Sequence, residues 1–176
     1  MPRLTTIDPA TATGEAKAIF DGPLAGKHLN IFKAFANSPA ALNAYLALSG
    51  ALGKGVLTKP EQEVIHLALG QARGCDYCLA AHTMIGKGAG LTEAQTIEAR
   101  RGSVADKKLD AVVRLALAIE EKRGNVSATD LANFKAAGYT DGHIAEVVAH
   151  HALATYTNYF NHVNQTTIDL PAFPKI

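Results

Sequence analysis

A carboxylate, two thiols and an imidazole stand together in one stretch of this chain: Glu63, Cys75, Cys78 and His82. The stretch holds both cysteines of the 176-residue protein and two of its seven histidines. The thiols and the imidazole read C-x-x-C-x-x-x-H, and residues three and four apart share one face of a helix. A C-x-x-C pair at a helix start can close to a disulfide and be reduced again. The helix N-terminus favours the thiolate there, which makes Cys75 the more acidic thiol. His82 argues the other way, since it is placed to take a proton from Cys78. Spacing alone leaves the two cysteines in competition.

Other chemistries fit parts of the pattern. Zinc could take Cys75, Cys78, His82 and Glu63 as a four-ligand set, although no second C-x-x-C or H-x-x-x-H half accompanies it. A c-type haem needs histidine directly after the second cysteine, where Leu79 stands. The thiols could also be inert and buried. Glu63 could be an exposed first-turn carboxylate that complements the helix dipole. If it instead meets His82, it makes the imidazole a better proton relay. His66, one turn after Glu63, either joins this site or is a satisfied helix histidine. Tyr77, between the thiols, reads as a hydrogen-bonding group at the pocket mouth or as an amphipathic surface residue.

These residues must be positioned by a helical hairpin over residues 58–90. Thr58 with Glu61 forms a capping box, and Pro60 occupies the first turn, where its missing N–H costs nothing. Gly70 and Gly74 loosen or end that helix, and Cys75 opens the next one. At ~1.5 Å rise per residue, Glu63 and His82 come to similar depth on either side of the bend.

The rest of the chain reads as helix too. An extended arm over 1–12 precedes a short helix from Thr13 to Phe20, and Asn30 is placed to cap another over Ile31–Ala36. Ser38 with Pro39 starts the next. After the hairpin, Thr92 with Gln95, Asp106, Ser127 with Asp130, and Thr140 each open a helix, the last running to about Thr166. A tail with two prolines follows over 167–176. No segment alternates like a strand, so the expected class is all-α, as one domain over residues 1–176. On the last helix His151, Thr155, Asn158 and His162 share a face. His151 and His162 are about 16 Å apart along the axis, too far for one metal. That face reads as a polar stripe on a subunit contact, while one of the adjacent His150 and His151 can look into the thiol pocket.

Composition narrows the function. Net charge is +1 and no basic block occurs, which argues against nucleic acid. No apolar run approaches the ~20 residues of a membrane span, and the first residues lack the apolar core of a signal peptide. The expected compartment is the cytoplasm, where C-x-x-C suggests a redox pair or a metal site rather than a staple.

Glu63, eleven intervening residues, then Cys75-Asp-Tyr-Cys78-Leu-Ala-Ala-His82 resembles the E-x11-C-x-x-C-x-x-x-H signature of the alkylhydroperoxidase D-like, carboxymuconolactone decarboxylase-like family. Asn37-Ser-Pro, Gly90-Leu-Thr and the asparagine- and tyrosine-bearing last helix fit as well. The resemblance implies an all-helical fold assembling as trimers or hexamers, and a thiol-dependent hydroperoxidase with no cofactor and no metal. Its partners would be a hydroperoxide and a dithiol reductant, either protein or lipoyl-type. Cys78 would be the peroxide-attacking thiolate and Cys75 the resolving thiol. His82, Glu63 and a bridging water would relay protons. Some members carry histidine where Tyr77 stands here. The decarboxylase branch generally lacks the cysteine pair, so its reaction is not implied. A redox sensor or adaptor using the same disulfide, and a Cys/His metal protein, are the competing readings.

Overall fold

The computed structural model describes residues 1–176 as nine helices without a strand: α1 (Gly14–Asp21), α2 (Asn30–Phe35), α3 (Pro39–Leu52), α4 (Lys59–Ala72), α5 (Asp76–Gly88), α6 (Glu93–Arg100), α7 (Lys107–Lys122), α8 (Ala128–Ala136) and α9 (Asp141–Asn164). The expected all-α class and every expected helix are present. Most starts follow the expected caps. Ser38 Oγ accepts from Ala41 N at 3.3 Å. Thr58 N donates to Glu61 at 2.7 Å, and Asp106 accepts from the amides of Lys108 and Leu109. Asn30 is an exception. It is the first helical residue of α2 rather than its cap, and its amide donates at 2.8 Å to Asp169 of the C-terminal tail. A carboxylate from far along the chain thus satisfies an orphan donor at a helix start.

The centre of the molecule is α4, which packs against α5, α6, α7 and α9. Residues Glu61 to Gly70 are buried without a break, so this helix has no solvent face over nearly three turns. Its polar side chains are therefore paired internally, as burial demands. Glu61 accepts from the Tyr139 hydroxyl at 2.6 Å. Gln62 donates to the Leu57 carbonyl at 2.8 Å. Glu63 and His66 serve the site described below.

The chain turns from α4 into α5 at Gly74, whose φ of +64° is the left-handed region that favours glycine. The hairpin closes tightly. A Cβ on Gly86 would come within 3.5 Å of the Glu63 Cβ and 3.0 Å of Leu91. Two apolar clusters flank it. One gathers α4, α6, α7, α8 and α9 around Val64, Leu67, Val112, Val113 and Val147. The other gathers α1, α2 and Leu42 around Phe20 and Phe35, and it includes Cys75, Tyr77 and Cys78. The arm runs alongside with a turn at Asp8–Thr11, and is strapped down where the amides of Arg3 and Leu4 donate to Asn164 at 2.8 and 2.9 Å.

Candidate active site

Cys75 is the N-cap of α5 and Cys78 sits in its first turn, so both sulfurs share one end of the helix. They are joined as a disulfide, with their Cα atoms 5.3 Å apart. Each residue is only 2% exposed. The Cys78 amide points at Cys75 Sγ at 3.3 Å, the helix-start interaction expected for the first thiol.

Cys78 Sγ receives something the sequence did not announce: two side-chain amides from α9. Asn158 Nδ2 lies 3.0 Å from it and Asn161 Nδ2 3.4 Å. The orientation of Asn158 is forced. Its Oδ1 accepts from Arg73 Nη1 at 3.3 Å, and a guanidinium can only donate, so the amide nitrogen must face the sulfur. Donors aimed at sulfur favour its negative form. Arg73, just before Gly74, is held in turn by Glu120 of α7. Its Nε donates to Oε1 at 2.9 Å and its Nη2 to Oε2. The Arg73 hydrogen bonds hold the Glu120 carboxyl down at about 2.

Glu63 and His82 meet across the hairpin as expected, with Glu63 Oε2 2.7 Å from His82 Nδ1. The pair is largely shielded, with 9% and 17% of the two side chains exposed. In the disulfide state the sulfur of Cys78 draws its hydrogen bonds from the two asparagines and none from His82. The zinc alternative has no single ligand set here, because the sulfurs are bonded to each other and the carboxylate to the imidazole. No group of three or more histidine, cysteine or carboxylate residues is placed to hold an ion.

His66 joins the site, and it does so as one of a file of three imidazoles. Its ring stacks on His82 with centroids 4.3 Å apart and planes 7° apart. Its Nε2 lies 3.2 Å from His150 Nδ1. These rings line a cavity of about 210 Å³ together with Glu63, Tyr45 and Lys59. Burial is the main reason that His66 is held well below the usual histidine range, and that His150 is pushed down to about 4. Both rings are therefore neutral near pH 7.

The adjacent His150 and His151 point in different directions, and one of them faces the imidazole cavity. His151 points away from this cavity and donates through Nε2 to Glu120 Oε2 at 2.6 Å; its neighbour His150 is the one that faces the imidazoles. The two directions differ because adjacent helix positions point about 100° apart. Tyr77 is buried among α1, α2 and the tail, and it also lines a groove beside Cys75. Its hydroxyl donates to Asp169 at 2.9 Å and accepts from the Ile31 amide at 3.4 Å. Burial, with Asp169 beside it, pushes that hydroxyl well above the usual phenol range, so it stays a neutral donor that ties down the tail.

The depressed histidines make stability depend on pH with a definite sign. In the unfolded chain His150 takes up a proton near pH 6.5, while the folded chain takes it up only near pH 4. Between those values the unfolded state binds more protons, so stability is full above pH 6.5 and falls as the pH drops toward 4. From pH 6.5 to pH 5 the loss from this one group is about 1.5 kcal/mol. Urea midpoints at the two pH values should show this loss, and His150→Leu should flatten the slope whatever its absolute cost. An unchanged slope in His150→Leu would show that the ring does not titrate in this way.

An all-helical protein whose central hairpin carries a buried C-x-x-C disulfide beside a Glu–His pair has the alkylhydroperoxidase D-like fold. Residues 39–121, the stretch from α3 to α7, match the model of the carboxymuconolactone decarboxylase family. Among solved structures, an uncharacterized peroxidase-related protein from Ralstonia eutropha JMP134, with an alkylhydroperoxidase AhpD core, superposes with a TM-score of 0.84. It is 22% identical, over 96% of this chain and 92% of that one. A second uncharacterized peroxidase-related protein, from Silicibacter sp. TM1040, gives 0.79 at 20% identity, over 94% and 92%. The debrominase Bmp8 shares the fold as well, with a TM-score of 0.77 at 17% identity, over 95% and 92%. No curated protein gives a significant match. No helix is long and apolar enough to cross a membrane.

Proposed function

We propose that the protein is a thiol-dependent hydroperoxidase. The observation that carries this reading is the Cys75–Cys78 disulfide with two amide donors on Cys78 Sγ, next to a Glu63–His82 pair on the same hairpin. In the reduced protein the Cys78 thiolate attacks the distal oxygen of a hydroperoxide. The O–O bond breaks, the sulfur becomes a sulfenic acid, and the alkoxide leaves as an alcohol with a proton supplied through His82 and Glu63. The Cys75 thiol then attacks the Cys78 sulfur and displaces water, which closes the disulfide. A dithiol returns two electrons by exchange. Peroxide removal for antioxidant defence, in the cytoplasm, is the role this chemistry suits.

The test is steady-state turnover with alkyl hydroperoxides and a panel of dithiols, including a dihydrolipoyl compound. Peroxide-dependent dithiol oxidation at a rate well above that of the Cys78→Ser variant supports the reading. A disulfide that forms and reopens without turnover favours a sensor or adaptor instead. Bmp8 is a debrominase on this fold, so a bromopyrrole belongs among the compounds assayed.

We also propose that the chain assembles as a homo-oligomer of threefold symmetry. Val148, Tyr159 and Val163 support this, standing on one side of α9 at 50%, 55% and 60% exposure. Light scattering at micromolar concentration should give a trimer or hexamer, and a stable monomer would defeat it.

A further inference from the structure

The two faces of the disulfide differ. On one side, between the start of α5 and the end of α9, lies a groove of about 340 Å³ lined by Gly74, Cys75, Tyr77, Asn161, Thr166 and Ile168. Cys75 opens onto it and Cys78 does not. The cavity beside Glu63 and His82 is lined by neither cysteine. Cys78 Sγ is instead covered by the amides of Asn158 and Asn161. Asn161 also lines the groove, and its Oδ1 is buried without a hydrogen-bond partner. Leaving a buried acceptor unpaired is costly, and a donor on an incoming molecule would relieve it.

We infer that this groove is where the thiol reductant docks, and that the reductant attacks Cys75 Sγ rather than Cys78 Sγ. The inference rests on the thiol-redox reading above and adds the direction of the exchange. The reductant thiolate bonds to Cys75 Sγ, the bond between the two cysteines breaks, and its electron pair moves to Cys78 Sγ. Cys78 leaves as a thiolate received by Asn158 Nδ2 and Asn161 Nδ2. The second thiol of the donor, as its thiolate, then attacks its partner sulfur in the mixed disulfide. This releases Cys75, which takes up a proton, and leaves the donor oxidised to a disulfide.

Two physical terms favour this direction. Exchange is faster when the leaving sulfur is the one better stabilised as thiolate, and access decides which sulfur is struck. Cys78 has the better stabilisation, because Arg73 polarises the Asn158 amide that faces it. Cys75 has one backbone donor at 3.3 Å, the Asn161 amide only at 4.0 Å, and the open groove. Attack on Cys78 would have to displace both asparagine amides first.

The experiment uses the oxidised full-length protein and no peroxide, so a protein without peroxidase turnover still answers. Glutathione in excess is added for short times, the mixture is quenched with N-ethylmaleimide in acid, and the cysteines are mapped by fragment mass spectra. Glutathione on Cys75 with alkylated Cys78 should exceed the reverse pattern at least tenfold. The reverse pattern, an even split, or a disulfide that glutathione never opens overturns the inference. Ile168→Trp, which fills the groove from the exposed tail, should slow opening by glutathione at least fivefold with unchanged helical circular dichroism. An unchanged rate in that variant would remove the groove from the reaction.

Discussion

Cys78→Ser should abolish labelling by a dimedone-type sulfenic acid probe after peroxide treatment, whereas Cys75→Ser should label and keep the label. The sequence sets two arguments against each other at this point: a helix start favouring Cys75, worth about 1 kcal/mol, and an imidazole one turn from Cys78. The structure adds two amide donors on Cys78 Sγ at 3.0 and 3.4 Å, whereas Cys75 Sγ has one backbone amide at 3.3 Å and the Asn161 amide only at 4.0 Å. The balance moves further toward Cys78 because Arg73 polarises one of those amides. His82→Gln and Glu63→Gln should each slow labelling at least tenfold, since positioned proton transfer contributes about 10²–10⁴ in rate. The two carboxamides keep nearly the shape of the pair and remove its charge. Labelling of Cys78→Ser with loss in Cys75→Ser would reverse the assignment, and a rate indifferent to Glu63→Gln would disconnect the carboxylate from the chemistry.

The helices were legible because their starts are written locally. Ser38-Pro39, Thr58 with Glu61, and Thr92 with Gln95 satisfy orphan amides from within three residues, so no tertiary knowledge is needed. The Glu63–His82 contact was legible for a related reason: a hairpin with a known bend fixes which residues lie level. What lay beyond reach was the choice of facing partner. Asn158 and Asn161 read from sequence as part of a polar face, and a helix face does not say whether it meets solvent, a second subunit or a sulfur 80 or 83 positions earlier in the chain. Three asparagines lie in the last turns of this helix, but Asn164 holds the N-terminal arm through Leu4 while Asn158 and Asn161 hold Cys78. The same limit separates His150 from His151, and it explains Tyr77, whose partner Asp169 lies in a tail with no periodic signal. The residue nearest to legible and still missed is Arg73. An arginine immediately before the turn glycine of a buried hairpin must find an acceptor, and Glu120 is that acceptor.

Arg73→Met should therefore weaken the fold and slow Cys78 together. Only 5% of the Arg73 side chain is exposed, against 27% of Glu120. Removing one partner of a fully buried pair costs about 3–5 kcal/mol. Glu120 keeps His151 and some water, so the expected loss is nearer to about 2 kcal/mol, read from the urea midpoint at pH 7. The pH profile identifies the cause. Arg73 holds the Glu120 carboxyl at about 2, below its unfolded value near 4.5. The pair thus contributes stability above pH 4.5 that is lost as the pH falls toward 2. In Arg73→Met that acid-side loss should shrink, because the folded and unfolded carboxyls then titrate closer together. Losing the guanidinium also frees Asn158 to rotate and present its oxygen to the sulfur, so sulfenic acid formation on Cys78 should slow about three- to tenfold. Arg73→Lys should recover part of the stability but little of the rate, since an ammonium cannot grip Glu120 through two parallel donors while also fixing the asparagine. If Arg73→Met loses stability and labels at the parent rate, Asn158 is held by packing alone and the guanidinium has no part in aiming it.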